Sequence, residues 1–561
     1  MPTNSPLAED WPRRQFSAPK SDRGVLCRPS GEQTPHLLAR NAERFSKSDV
    51  KLCDVPLADL RSRARAELLS EAHEFTEQLR GHAIAEPDPI APLIAAGHQP
   101  ELYHPGVWLK NFAASRLAAR QGGVALNLIV DTDLCTELTV SVPDGSPGSP
   151  SLRGVWLDLP ARQQPWEDLR VKSPAVLPAA GREIADAMAG WGIEPLAGEF
   201  WFDGPSVQSG DCLVHHLTQL RHDRQQAWDA PLLELPMRRL CRTESFALFA
   251  CSILQRIDEL QRHYNDGLAT YRELNRLRSS AHPMPDLHVA EVDGRTRHEA
   301  PFWVWRAGEH VRRPLWIEQL GCSFRLYDVR DDDHAGAECI GVIRKTDCSP
   351  SAWHRLLVDL DQQGVRVRPR ALMTTLFLRL CLADLFIHGI GGAKYDEVTD
   401  HLFRAFLGIE PPDFLAVSGT LRLPLPTHAD SPADRRRLQA LRRDLLHNAD
   451  RHGFGSPELI ERKAKLIADQ QAADASDRRD ARANYERFRA LKSVNLELAA
   501  AASDRRSEVV EELAAVNRRL AANRLLASRE FSWTLYPEEL LRDWLHEASD
   551  AIATRDGATV A

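Results

Sequence analysis

APLIAAGHQPELYHPGVWLKNFAASRLAARQGGVALNLIVDTDLCTELTV, residues 91 to 140, is the stretch from which the architecture of this chain can be read. Ala91 to Ala96 is a short apolar run stopped by Gly97, and its length and character fit a strand buried on both faces. The loop Gly97-His98-Gln99-Pro100-Glu101-Leu102-Tyr103-His104-Pro105-Gly106 is too rich in proline and glycine to continue as helix. From Val107 the positions Val107, Leu109, Phe112, Ala113, Leu117 and Ala118 recur at near-helical spacing, until Gln121-Gly122-Gly123 supplies a stop. Val124 to Val130 is a second apolar run and ends on Asp131-Thr132-Asp133. Strand, crossover helix and strand make a βαβ unit, which implies a parallel sheet. Ligands of such sheets bind outside the carboxyl ends of the strands, where both polar clusters fall.

The pattern returns later in the chain. A helix over 371–382, a strand over 384–388, the glycine loop Gly389-Ile390-Gly391-Gly392, a helix over 393–407 and a strand over 414–417 form a second α/β run. A helix is expected over 56–83 and a helical pattern over 245–277. A β-meander is expected with strands at 302–306, 314–317 and 324–328, followed by a helix over 350–362. Residues 1 to 35 read as a loose arm. The span 160–240 is mixed, with Trp166, Trp191, Trp201 and Trp228 as core mass. From 456 to 528 there are few aromatics and many Ala, Leu, Arg and Glu, which suggests long helices paired as an antiparallel coiled-coil arm, reversing near 472–478 or 500–505.

The fold class is therefore α/β: a Rossmann-like parallel sheet core, a helical and β-meander insertion, and a C-terminal antiparallel coiled-coil arm. The segments are 1–85 (arm and helix), 86–240 (first part of the core), 241–363 (insertion), 364–455 (second part of the core), 456–528 (coiled-coil arm) and 529–561 (return segment).

At 561 residues the chain exceeds one compact core, and 27% charged residues is ordinary for a globular protein. A formal charge of -8 gives no general pull toward nucleic acid or anionic membrane. No segment offers the roughly eighteen uninterrupted apolar residues of a membrane span, and the first residues lack a signal-peptide apolar core, so the expected location is cytoplasmic. The ten cysteines are scattered without a Cys-x-x-Cys pair, which argues against a disulfide framework or a structural zinc site.

Two histidines in a strand-to-helix loop, with backbone amides at the helix start, can hold an anion, so His98 and His104 are candidate catalytic residues with Gln99 beside them. The plain alternative is that they cap and pack the loop. Lys110, one turn into the helix, can reach the same anion or lie solvated on the outer face. Asp131 and Asp133 end an apolar strand, where carboxylates can hold a metal, a ribose or a substrate amine, or simply cap a turn. Gly389, Gly391, Gly392, Lys394 and Tyr395 open a helix whose free amides suit an anionic ligand; the loop is neither a Walker A nor a Gly-x-Gly-x-x-Gly sequence, and plain helix packing is the alternative. Asp331-Asp332-Asp333-His334 reads as a solvated turn rather than a metal patch. No cofactor is named by these motifs.

Gly97-His98-Gln99 with Leu102, Pro105 and Lys110 resembles the Gly-Gln-Gln loop, Gly-Pro and helix lysine of the bacillithiol-synthesis cysteine ligase (BshC) family, two residues shorter. Gly389-Ile390-Gly391-Gly392-Ala393-Lys394-Tyr395 is similar to that family's Gly-Pro-Gly-Glu-Ile-Ala-Tyr loop, with Gly392 in place of the glutamate. The family's Glu-Asp-His-Asp stretch is represented only by Asp131-Thr132-Asp133. The resemblance implies a ligase-type enzyme that condenses an amino acid, thiol or amine with a sugar-like or nucleotide-like small molecule. The shortened acidic stretch leaves open a non-catalytic member that binds a small anion or a partner. Paired long helices also suggest a homodimer formed through the arm.

Overall fold

The computed structural model describes residues 11, 14–159, 162–198, 207–279, 284–321, 323–344, 349–475 and 480–554. The chain separates into two compact units, residues 1–142, 154–422 and 529–561 in one, and residues 143–153 and 423–528 in the other.

The first unit is built on a six-stranded sheet of β1 (Gly24–Arg28), β2 (Leu93–His98), β3 (Val124–Ile129), β4 (Leu233–Pro236), β5 (Leu385–His388) and β6 (Phe414–Thr420), in the order β1-β6-β5-β2-β3-β4. Every neighbouring pair is parallel except β1 with β6. The expected strands near 91–96, 124–130 and 384–388 thus share one mostly parallel sheet within a mixed α/β fold. Their apolar runs were legible because both faces are covered, which removes the alternation of a half-exposed strand.

The helices used below are α1 (Leu57–Arg80), α2 (Pro105–Arg120), α3 (Leu213–Ala227), α4 (Glu244–Gln255), α5 (Ile257–Leu274) and α6 (Ile390–Ala405). Leu93, Ala95, Phe386, Phe414 and Ala416 belong to one continuous buried cluster with Val398 and Leu402 of α6. The alternate residue Gly419 of β6 meets Leu109 of α2, so α2 and α6 lie on opposite faces of the sheet. From β2 the chain steps outward to β3, and from β5 it steps the other way to β6. The adjacent pair β2 and β5 is therefore the point where the strand order reverses.

Two expectations, the loose arm and the extent of the meander, need correction. The loose N-terminal arm is a strand from Gly24 to Arg28, hydrogen-bonded along β6 from Thr420 to Ala416. Residues ahead of it are tied down as well: the Trp11 indole donates to Glu397 at 2.9 Å and Arg14 pairs with Asp400 at 2.6 Å. A three-residue apolar core, Val25-Leu26-Cys27, among charged neighbours is too short for a periodic signal. The helical pattern of 245–277 is two helices, α4 and α5, interrupted at Arg256. The meander sheet is wider than expected and takes Val365–Pro369, placed by the sequence in the second part of the core, as a partner of Arg295–Arg306. In the 160–240 span, β4 and α3 emerge, and Trp166 and Trp228 are buried; Trp201 lies outside the described residues.

The second unit holds α7 (Pro432–His447), α8 (Pro457–Ala475), α9 (Ala481–Ala501) and α10 (Ser503–Leu526). Its core is Leu438 and Leu445 of α7 with Val494 and Leu498 of α9 and Val509, Leu513 and Val516 of α10. The helical unit begins before residue 456, and helix ends fall near both reversals that the sequence allowed. Four helices, rather than one long pair, share the task of burying a sparse apolar stripe. α7 starts on a capping box in which Ser431 and Asp434 satisfy each other's backbone amides.

Candidate functional site: the carboxyl edge of the sheet

His98 is the last residue of β2, and His104 is the N-cap of α2, its Nδ1 accepting from the Gly106 amide at 3.1 Å. His104 caps the helix, as the plain alternative has it, and also lines a cavity of about 480 Å³. The same cavity takes His98, Glu101, Tyr103, Glu137 and Glu530 into its wall. Gly106 cannot bear a side chain, because a Cβ there would lie 2.1 Å from the Gly419 carbonyl oxygen. That contact fixes the start of α2, and with it the loop, against β6.

The cavity histidines are held neutral. Burial pushes His98 down to about 3, with Lys110, His104 and Arg221 adding to the effect. Burial likewise lowers His104 to about 4 against the pull of Glu530, whose carboxylate lies 3.7 Å from Nε2. With Nδ1 accepting from Gly106, the His104 Nε2 lies between the Glu530 carboxylate and Arg529, whose Nη2 is 3.4 Å away. His98 packs edge-on against the Tyr103 ring at 4.9 Å.

Lys110 is buried, 3% exposed, and its Nζ donates to the Gly97 carbonyl at 2.7 Å. The solvated alternative for this lysine is excluded. Burial alone brings its ammonium down to about 7. Its chain also runs beside the glycine loop, since a Cβ on Gly389 would sit 3.9 Å from the lysine Cδ. The Lys110 amine thus holds the carboxyl end of β2 while its aliphatic stem passes Gly389 at the start of α6.

The aspartates are placed differently from expectation. Asp131 is fully buried and paired with Arg238, 2.5 Å from Nη1 and 3.1 Å from the backbone amide. Asp133 accepts from Gln99 at 3.0 Å and from Arg312 at 2.8 Å. Neither lines the cavity. The apolar strand ending on Asp does not reveal arginines that are distant in sequence, which is why the pairing was not legible.

Gly389 caps α6 in extended conformation, and Gly391 and Gly392 are exposed at its first turn. Lys394 and Tyr395 are half-buried on the same helix, but Tyr395 turns to α5, where its ring meets Tyr271 at 6.4 Å. The glycine loop, Lys394 and Tyr395 are absent from the wall of the His98 cavity. The structure thus brings His98 and His104 to one cavity, sets Lys110 against Gly97 and Gly389, and leaves Gln99, the glycine loop and Tyr395 off the cavity wall.

One group escaped the sequence reading. His388, the last residue of β5, is buried with Nε2 3.0 Å from Asp396, which also pairs with Arg379; Asp400 lies 2.8 Å from the same arginine. Burial opposes ionisation of Asp396, but Arg379 and His388 outweigh it and hold the carboxyl well below the usual range. The His388 Nδ1 faces Gly392, 3.0 Å from where a Cβ would be. A signal existed: His388 closes an apolar run just before a glycine loop, and a histidine with glycine neighbours also closes the run at β2.

Among the described residues no group of three or more His, Cys, Asp or Glu side chains is arranged to hold a metal ion, and no helix is long and apolar enough to cross a membrane. The chain matches no family model, and no curated protein is significantly similar to it.

Proposed function

We propose that this chain is an enzyme of the type of the bacillithiol-synthesis cysteine ligase family, joining an amino acid or another thiol- or amine-bearing molecule to a sugar-like or nucleotide-like one. The observation that carries the reading is Lys110, whose buried amine holds the carboxyl end of β2 while its stem packs beside Gly389 after β5, at the reversal of strand order. Such a reversal opens the crevice in which parallel sheets hold ligands. In this reading the amides of Gly391 and Gly392, with Lys394 and Gln99, meet an anionic group of the substrate. Lys110, near neutrality in its pKa, takes the proton that the incoming amine or thiol gives up as the new N–C or S–C bond forms, and returns it to the hydroxyl of the second molecule, whose C–O bond breaks to release water. His98 and His104, both neutral, exchange hydrogen bonds with the substrate, while Asp131 and Asp133 hold Arg238 and Arg312 in place.

The same reading makes the parallel sheet a Rossmann-like core and the second unit an antiparallel coiled-coil arm through which two copies form a homodimer in the cytoplasm. Support for the dimer is the exposure of Tyr485, Phe488 and Leu496 along α9.

A second reading, a non-catalytic member that binds a small anion or a partner, is favoured by one observation: both strand-end carboxylates are engaged by arginines. Thermal midpoints measured with cysteine, amino sugars and nucleotides, followed by mass spectrometry of the mixtures, separate the two. The catalytic reading expects a raised midpoint and a product equal to the two substrates less water. The binding reading expects the raised midpoint alone. No shift with any of these ligands contradicts both.

A further inference from the structure

Residues 51 to 56 form a tight hairpin in which Lys51–Leu52 pairs with Val55–Pro56. Cys53 and Asp54 make the turn, with φ of 47° and 64°. A turn that needs two left-handed residues favours glycine and asparagine, so a cysteine there is held at a cost in backbone strain. Leu52, 1% exposed, anchors the hairpin in the core, and the Cys53 side chain is delivered onto α4. There Cys53 Sγ lies 3.1 Å from Cys251 Sγ. Gln255, one turn along α4, donates from Nε2 to Cys251 Sγ at 3.2 Å and orients it. A disulfide requires the sulfurs to come only about 1 Å closer.

The two thiols differ in access, as a reactive and a resolving pair must. Cys53 is half-buried and Cys251 fully buried. The hydrogen bond with Cys251 holds the Cys53 thiol below its ordinary value, although burial and Asp54 act against it. In contrast, burial pushes Cys381 up to about 12 and Cys135 to about 12. The nucleophile is the thiolate, so these two are inert by comparison.

We propose that Cys53 and Cys251 are an oxidisable thiol pair that a peroxide converts into a disulfide. The Cys53 thiolate attacks one peroxide oxygen, the O–O bond breaks, and a sulfenic acid forms while the other oxygen leaves as water after taking up a proton. The Cys251 thiol then attacks the sulfenic sulfur; the S–S bond forms and the sulfenic oxygen leaves as a second water. Two thiols are oxidised and one hydrogen peroxide is reduced to two waters. The bond ties the hairpin to α4 across 198 positions of sequence.

The test treats the full chain, first reduced, with a small excess of hydrogen peroxide, blocks the remaining thiols, and maps the digest without reductant. The expected result is one linked peptide pair containing Cys53 and Cys251, reversed by dithiothreitol and absent from Cys53→Ser and Cys251→Ala. Oxidised wild type should also melt a few degrees above the reduced form, and Cys53→Ser should show no such gain. Oxidation of the exposed Cys339 with no Cys53–Cys251 link overturns the proposal, as does Cys53 carried to sulfinic acid beside an intact Cys251 thiol. The wild-type map decides the matter even where a variant fails to fold.

Discussion

Lys110 reaches from the second turn of α2 to donate to the Gly97 carbonyl at 2.7 Å, and its aliphatic stem passes Gly389, 279 positions further along the chain. Among the described residues one carbonyl accepts from its three N–H groups, and burial brings its pKa from 10.5 to about 7. A buried lysine in this condition costs stability, and that cost is the physical ground for assigning it a functional role.

The pH dependence follows with a definite sign. Because the folded value lies below the unfolded one, the unfolded chain binds more protons between pH 7 and 10, and stability rises with pH across that window. Each pH unit there is worth up to about 1.4 kcal/mol. Lys110→Met should be more stable than wild type at pH 7 and should lose this rise. Urea unfolding of both proteins at pH 7, 8 and 9 checks it; equal slopes would show that Lys110 stays charged in the fold.

The cavity histidines act on the acid side. His98 at about 3 and His104 at about 4 are neutral in the fold where the unfolded chain is protonated, so stability is present above pH 6.5 and is lost as pH falls toward 4. The double variant His98→Gln, His104→Asn should lose less over the same range, since both replacements stay uncharged and asparagine keeps a helix cap. Thermal midpoints at pH 6.5, 5.5 and 4.5 measure the difference, and parallel curves for the two proteins would contradict it.

How much of this was legible before the structure can be followed residue by residue. β2, α2, β3 and β5 were readable because buried parallel strands are unbroken apolar runs and because Gly97, Gly122 and Gly389 punctuate them. His98, His104 and the glycine loop could be placed at one sheet edge for the same reason. What stayed hidden was long-range pairing. Nothing near Asp131 announces Arg238, nothing near Asp133 announces Arg312, and nothing near Tyr395 announces Tyr271. The direction of a side chain from a helix depends on which neighbour packs there, and that neighbour can come from anywhere in the chain.

Asp131 is now expected to matter for folding. Asp131→Asn leaves the Arg238 guanidinium in a largely buried site without its counter-charge, at a cost of about 3 kcal/mol. Pairing it with Arg238→Met should recover much of that loss, and a denaturant double-mutant cycle reads the coupling directly. Loss of ligand binding with unchanged stability in Asp131→Asn would return this residue to the substrate.

The dimer proposal has its own measurement. Tyr485, Phe488 and Leu496 are each about 60% exposed along one helix. Replacing all three with glutamate should halve the particle mass seen by light scattering while leaving the far-ultraviolet circular dichroism unchanged. A wild-type chain that already scatters as 62.9 kDa would dispose of the idea.

The central claim, that the loops after β2 and β5 build one ligand site, is tested most directly by amide hydrogen exchange in the presence of whichever amino sugar or nucleotide raises the thermal midpoint. The account predicts slowed exchange in both residues 97–106 and 389–393, with the effect lost at both in Lys110→Met. Protection confined to one loop, or found elsewhere in the chain with both loops unchanged, would contradict it.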